Sequence, residues 1–265
     1  MRSSEHSRSD ETVKRGSRIG FKRYLGLIRS LAIYRFNPVR RIQSYRHYRP
    51  FMGPGDLCFD IGAHVGDRVA TFLSLGANVV AVEPLPDLMR FLNRLYYHNN
   101  RVTLVEAAIG ATAGHRSMLV SSGTPSMSTI AHGWARDVAI QRRFSKVSWD
   151  TQVNVKTLTL DTLIRDHGSP KFCKIDIEGS EAEALAGLTY PLPSLSIEYV
   201  PARIDIAVEC LRRLSSLGSY RFNMCMGERK KFQLKEWVDE RVLLDILYKL
   251  RRDDPTGDIY ATLQK

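Results

Sequence analysis

A chain of 265 residues with 43% hydrophobic content can bury a core without covalent staples. Its four scattered cysteines (Cys58, Cys173, Cys210, Cys225) include no C-x-x-C pair and have no histidine cluster nearby, which argues against a disulfide framework or a zinc site. They read as small buried hydrophobes in a reducing, cytoplasmic compartment. The net charge of +11 is lopsided: Met1 to Pro50 holds thirteen Lys and Arg against three acids, while the remaining residues are nearly balanced, 26 basic to 25 acidic.

Taken in chain order, residues 1–16 are polar, charged and serine-rich and read as a disordered leader. Residues 17–50 read as a basic helical arm. Within it, Tyr24 to Tyr34 is the most apolar stretch, but Arg29 interrupts it and it is too short to span a bilayer. Leu25, Ile28, Leu31 and Ala32 fall at helical spacing among basic residues. That pattern suits an interfacial helix on an anionic membrane, at the inner face, or an amphipathic helix capping the core, the reading favoured here. A basic arm also suits nucleic acid, or a merely solvated leader.

Residues 51–265 form the main domain. Short β-branched runs predict strands at Leu57–Ile61, Asn78–Glu83, Val102–Ala107, Phe172–Ile177, Leu195–Tyr199, Tyr220–Met224 and Asp258–Leu263. Helical patterns fall between them at Val65–Leu75, Pro86–His98, Ser180–Gly187, Ile204–Leu217 and Leu234–Leu250. Such alternation predicts an α/β fold, a mostly parallel sheet with helices on both faces. Two further strands, His115–Ser121 and Val153–Leu158, bracket an insert at 122–152 of a length usual for functional lids or disordered loops.

The chemistry concentrates at predicted strand ends. Phe59-Asp60-Ile61-Gly62-Ala63-His64-Val65-Gly66 joins a buried strand to a helix through a glycine turn, where backbone N–H groups can approach a ligand. The spacing is G-x-x-x-G, not the G-x-G-x-x-G of dinucleotide sites, which disfavours a nicotinamide oxidoreductase. Glu83 ends the next strand and is placed to accept from ribose hydroxyls. Glu106 and Ala107, at the end of the third strand, would border a base. Lys174-Ile175-Asp176-Ile177-Glu178-Gly179-Ser180-Glu181 and Glu198 bring carboxylates to the same sheet edge. Proximity and burial there would raise at least one pKa, making Asp176, Glu178 and Glu198 candidates for general acid or base work. Glu181 reads as a structural first-turn acid. His132, Trp134 and Arg136 in the insert suit the wall of a sugar or anionic acceptor site through stacking and charge-assisted hydrogen bonds. No metal is expected, since no convincing metal-ligand spacing is present, although the carboxylate-rich fourth strand leaves an Mg²⁺ site open.

Together, Phe59 to Gly66, Val79 to Pro84, Leu158 to Leu163, Lys174 to Gly187 and Ser196 to Tyr199 resemble the FkbM-type family of S-adenosylmethionine-dependent methyltransferases, over roughly residues 56–263. The family commonly carries Asn where this chain has His64. The resemblance implies a Rossmann-like class I methyltransferase fold, a seven-stranded mostly parallel sheet with the last strand antiparallel. It also implies S-adenosylmethionine contacts at Asp60, Gly62 and Glu83, with His64 and Gly66 in the same loop, and O-methylation of a small-molecule or carbohydrate hydroxyl. The alternatives are an RNA or protein methyltransferase using the basic arm, or a non-catalytic cofactor-binding module. The near-neutral main domain makes nucleic acid the weaker partner, and the sequence leaves oligomeric state unspecified.

Overall fold

The computed structural model describes residues 38–227 and 230–264, together with Arg29. The expected leader and, Arg29 apart, the Tyr24–Tyr34 stretch lie outside the described residues. The first described helix is α1 (Pro38–Tyr48), which leads through Phe51 and Met52 into β1 (Leu57–Ile61). There follow α2 (Asp67–Ser74), β2 (Asn78–Val82), α3 (Pro86–Tyr96) and β3 (Val102–Val105). A second, smaller sheet and its helix come next: β4 (Ala108–Ile109), β5 (Gly114–Val120), α4 (His132–Ala139) and β6 (Thr151–Leu158). The chain then continues as α5 (Leu160–His167), β7 (Phe172–Ile175), α6 (Glu181–Ala186), β8 (Ser194–Tyr199), α7 (Ile204–Leu217), β9 (Tyr220–Met226), α8 (Glu240–Leu247) and β10 (Gly257–Leu263).

Seven strands form the main sheet in the order β3-β2-β1-β7-β8-β10-β9. The pairs from β3 to β8 are parallel, and β10 runs antiparallel to both neighbours, so the last strand is the reversed one, as the resemblance implied. The order reverses at β1, where chain direction switches from one side of the sheet to the other. In open α/β sheets, ligands bind at the C-terminal edge beside such a switch point.

Both faces of the sheet are covered. On one, Phe59, Ile61, Ile175, Ile197 and Phe222 pack with Leu163, Leu185, Leu211 and Leu243 from α5, α6, α7 and α8. On the other, Cys58, Phe172 and Tyr260 meet Tyr48, Phe72 and Leu92 from α1, α2 and α3. Tyr48 stands edge-on to Phe72 and Phe172, ring centroids 5.2 and 5.5 Å apart, and Phe51 stacks on Tyr260 at 5.7 Å. The basic arm is therefore not all appendage: the inward side of α1 closes one face of the core, while Val39, Ile42 and Tyr45 stay exposed.

Local chemistry sets the helix limits. Pro86 lies in the first turn of α3. The Thr159 hydroxyl accepts from Thr162 N at 3.1 Å to start α5, and Asp239 Oδ1 accepts from Val242 N at 3.0 Å to start α8. That second cap marks a correction to the predicted helix over Leu234–Leu250. Helix forms only from Glu240, because the preceding segment bends back along β9, held by isolated bridges at Cys225–Phe232 and Phe222–Val238. Burial of Phe232 and Trp237 on the α1 side of the core outweighs the helical periodicity there.

The predicted strands flanking the insert pair as an antiparallel ribbon, β5 with β6, joined by β4 into a three-stranded sheet. The insert is an ordered excursion from this ribbon. Asp150 N returns to Val120 O at 3.1 Å, and Leu119 and Thr129 exchange both backbone hydrogen bonds. Trp134, Ala135 and Val138 of α4 form a small core of their own with Val200.

Candidate active site

At the C-terminal edge of the main sheet, two cavities share Gly62, His64, Ser126, Asp176 and Glu178. The smaller, about 60 Å³, is lined chiefly by apolar groups including Val82, Ala107, Ile109 and Met118, with Glu83, the residue after β2, added to the two shared acids. The larger, about 330 Å³, is polar and contains Asp60, Lys174, Glu198, Lys230 and Asp258. A mostly apolar slot with Glu83 in its wall, opening past Asp176 and Glu178 into a charged chamber, suits a nucleoside on one side and a polar reacting group on the other.

The glycine turn is built for this approach. Gly62 has φ +86°, and a Cβ there would lie 2.0 Å from the Asp176 carbonyl oxygen, so a side chain would push the tips of β1 and β7 apart. Gly62 N and Ala63 N both donate to Val82 O at 3.0 Å, drawing the turn over β2. His64 also sits at positive φ, +50°. His and Asn tolerate this region better than most residues, so His64 can keep the turn where the resemblance leads one to expect Asn. Burial lowers the His64 imidazole to about 4, with Asp176 partly opposing, so the ring is neutral at pH 7.

Glu83 is buried, and each oxygen accepts a backbone N–H: Oε2 from His64 and Oε1 from Leu85, both at 2.9 Å. Burial raises its carboxyl to about 7, and the two N–H bonds hold it from going higher. A carboxylate oxygen can accept more than one hydrogen bond, so the pair remains able to take ribose hydroxyls. Asp60, 1% exposed, is likewise raised to about 7 by burial, with Lys174 and Arg68 opposing. Its Oδ2 has no hydrogen-bond partner among the described residues, a buried acceptor awaiting a donor.

The register places Asp60 beside Lys174 and Lys174 beside Ser196, with Glu198 opposite Asp258 one step toward the edge. Lys174 Nζ donates to Asp176 Oδ2 at 2.7 Å and lies 3.6 Å from Asp258 Oδ1; Lys230 Nζ reaches Asp258 Oδ2 at 2.8 Å. Burial opposes charge at Asp258, but Lys230 and Lys174 together hold it well below the usual carboxylate range. Asp176, Glu178 and Glu198 each bring an oxygen within 4.8 Å of the others. Glu178 and Glu198 are pushed well above the ordinary range, by burial first and then by neighbouring acids. Glu181 faces inward instead, accepting from Ile177 N and Gly179 N at 3.0 Å, and orders the loop that carries Glu178.

The remaining sequence candidates fall elsewhere. Gly66 has φ +75° and caps α2, where a Cβ would crowd Leu92 and Tyr96. Glu106 is exposed and lines neither cavity, although Ala107 lines the smaller. His132, Trp134 and Arg136 also lie outside both linings. His132 is exposed and bonds Ser117 O at 3.0 Å, Arg136 is exposed, and Trp134 is 2% exposed beneath Gly179. A Cβ on Gly179 would lie 2.2 Å from the Trp134 ring. Ser126, Met127 and Phe144 are the insert residues that face the larger cavity. The insert also holds the acidic loop, since the Thr129 hydroxyl donates to Glu178 O at 2.7 Å. Lys230, Asp258, Thr129 and Phe144 carry no sequence signal of a role here, since each reaches the site only through the tertiary fold.

Strand order, glycine turn and the acid after β2 together define a Rossmann-like class I methyltransferase fold. Residues 60–250 match the methyltransferase FkbM domain, and the chain belongs to that family. It is 29% identical over 167 residues to hexuronic acid methyltransferase AglP of Haloferax volcanii, a match spanning 61% of this chain and 62% of that protein. Similar solved structures include a precorrin-6y C5,15-methyltransferase from Geobacter metallireducens, with TM-score 0.46, 15% identity and coverage of 88% of this chain and 91% of that one. Another is an O-methyltransferase from Bacillus cereus in complex with SAH, with TM-score 0.46, 10% identity and coverage of 94% and 91%. At that likeness neither lends this chain a reaction.

Proposed function

We propose that the protein is an S-adenosylmethionine-dependent methyltransferase acting on a hydroxyl of a carbohydrate-type acceptor. The observation that carries this reading is the meeting of the two cavities at Gly62, His64 and Asp176, with an acid and apolar walls on one side and carboxylates on the other. The residues fit the cofactor: Gly62 leaves room for close backbone approach, Glu83 offers oxygens to a ribose, and Ala107, Ile109 and Met118 offer an apolar slot for a base. When bound, S-adenosylmethionine supplies an electrophilic methyl group on a sulfonium. The protein's task is alignment, worth up to about 7–11 kcal/mol when well oriented, and removal of the hydroxyl proton. The proton acceptor is whichever of Glu178 and Glu198 is ionised, since neither carboxylate carries a hydrogen bond or ion pair from other described residues, whereas Asp176 is held by Lys174.

The acceptor class follows from the family and from the hexuronic acid named for the AglP relative. Its test is calorimetric titration with S-adenosylhomocysteine, followed by mass spectrometry of uronic acids, neutral sugars and glycolipids incubated with methyl donor. Methylated sugar confirms the reading. Methylation of RNA or protein alone overturns the acceptor class, and tight cofactor binding with no product from any acceptor supports a binding module.

We also propose a cytoplasmic setting, in which the four buried free thiols stay reduced, with peripheral contact at the inner face of the membrane. Support comes from α1, whose exposed Val39, Ile42 and Tyr45 stand among exposed Arg41, Arg46 and Arg49. Sedimentation with anionic vesicles but not with neutral ones is the expected result.

A further inference from the structure

We infer that Asp176, Glu178 and Glu198 hold a divalent cation with a preference for oxygen ligands, Mg²⁺ or Mn²⁺, in the larger cavity. The three offer carboxylate oxygens that all lie within 4.8 Å of one another, on a loop after β7 and at the end of β8. Hard cations of this kind are held by one to three carboxylates and complete their shell with water or substrate oxygens. Two of the three carboxylates, those of Glu178 and Glu198, receive no hydrogen bond or ion pair from the other described residues. The nearby cations are already engaged, Lys174 with Asp176 and Asp258 and Lys230 with Asp258. Like charges packed this closely repel unless protons or a cation intervene.

Two observations outside the cluster point the same way. Asp60, on β1 and 1% exposed, lines the cavity that contains all three acids and has an Oδ2 without a partner among the described residues. Ser180 is fully buried, lines the adjoining cavity with Asp176 and Glu178, and has an Oγ equally without a partner. A hydrated cation supplies what both lack, since its waters donate to such oxygens and its open positions accept oxygens from a ligand. Within the methyl-transfer reading, on which this last step rests, a pair of neighbouring sugar hydroxyls would fill those positions and orient one of them for reaction.

The test needs neither cofactor nor acceptor. The full chain, stripped with EDTA, is titrated with Mn²⁺ and bound metal is followed by electron paramagnetic resonance, with Mg²⁺ as competitor. One site is expected, displaced by Mg²⁺ and weakened at least about tenfold in both Glu198→Gln and Glu178→Gln, because even outer-shell changes weaken metal sites 10- to 100-fold. Glu236→Gln, at an exposed acid distant in sequence from the site, should bind as the unaltered chain does. Far-ultraviolet circular dichroism confirms that each variant is folded, and either substitution alone suffices if the other unfolds. No bound Mn²⁺ at millimolar concentration, or equal affinity in folded Glu198→Gln or Glu178→Gln, overturns the proposal. Titration of S-adenosylhomocysteine in EDTA separates the two readings, because failure there removes the methyltransferase assignment and leaves the cation result standing.

Discussion

The backbone N–H of His64 donates to Glu83 Oε2 at 2.9 Å, which ties the glycine turn after β1 to the acid at the tip of β2. One carboxylate thus both shapes the turn and faces the cavity. Glu83→Ala should weaken S-adenosylhomocysteine by roughly 10- to 100-fold, the worth of hydrogen bonds to a charged group. Calorimetry measures the affinity, and an unchanged value removes Glu83 from the ribose role. A melting curve run alongside will report the separate loss of the His64 and Leu85 tethers.

Gly62→Ala should destabilise the fold. The added Cβ would meet the Asp176 carbonyl oxygen at 2.0 Å, from a residue already at positive φ. A cost of about 1–3 kcal/mol for the backbone alone, plus displacement of β7, should appear as a lower urea midpoint and weaker cofactor binding. Wild-type stability in this variant would mean that the turn does not require glycine at position 62.

Trp134 and Phe144 should separate stability from substrate handling. Trp134 is buried under Gly179, so Trp134→Ala should cost roughly 3–5 kcal/mol by denaturant titration. Phe144 faces the larger cavity, so Phe144→Ala should raise acceptor KM with a smaller stability loss. The opposite pattern would return Trp134 to the acceptor wall.

Stability of the ligand-free, EDTA-treated chain should fall as pH rises from 6.5 to 8. Burial raises Asp60, Glu83 and Glu181 to about 7 and pushes Glu178 and Glu198 well above the ordinary range. In that window the folded chain holds protons that the unfolded chain has released, so the unfolding free energy drops with pH. His47 and His64, lowered to about 4 chiefly by burial, act in the other direction, but only below pH 6.5, where the unfolded imidazoles begin to charge. A decline of a few degrees in Tm is the expected reading, and a rise would contradict the buried-carboxyl assignment.

Much of this protein was legible from its sequence. The apolar runs around Phe59, Val80, Ile175 and Ile197 mark buried parallel strands, because strands covered on both faces need hydrophobic side chains in both directions. Asp60, Glu83 and Asp176 could be placed from the strand ends they occupy, since a parallel sheet carries all its C-terminal tips to one edge. Tertiary structure decided the rest. Helical periodicity over Leu234–Leu250 lost to the packing of Phe232 and Trp237 on the α1 side of the core. Trp134 resembled a stacking residue, but a backbone without a Cβ at Gly179 gave its ring a buried seat. Lys230 and Asp258, 28 residues apart, meet at 2.8 Å only because β10 inserts between β8 and β9. Local pattern fixes which residues can be buried and where strands end; which buried charges find one another depends on strand order, a property of the whole sheet.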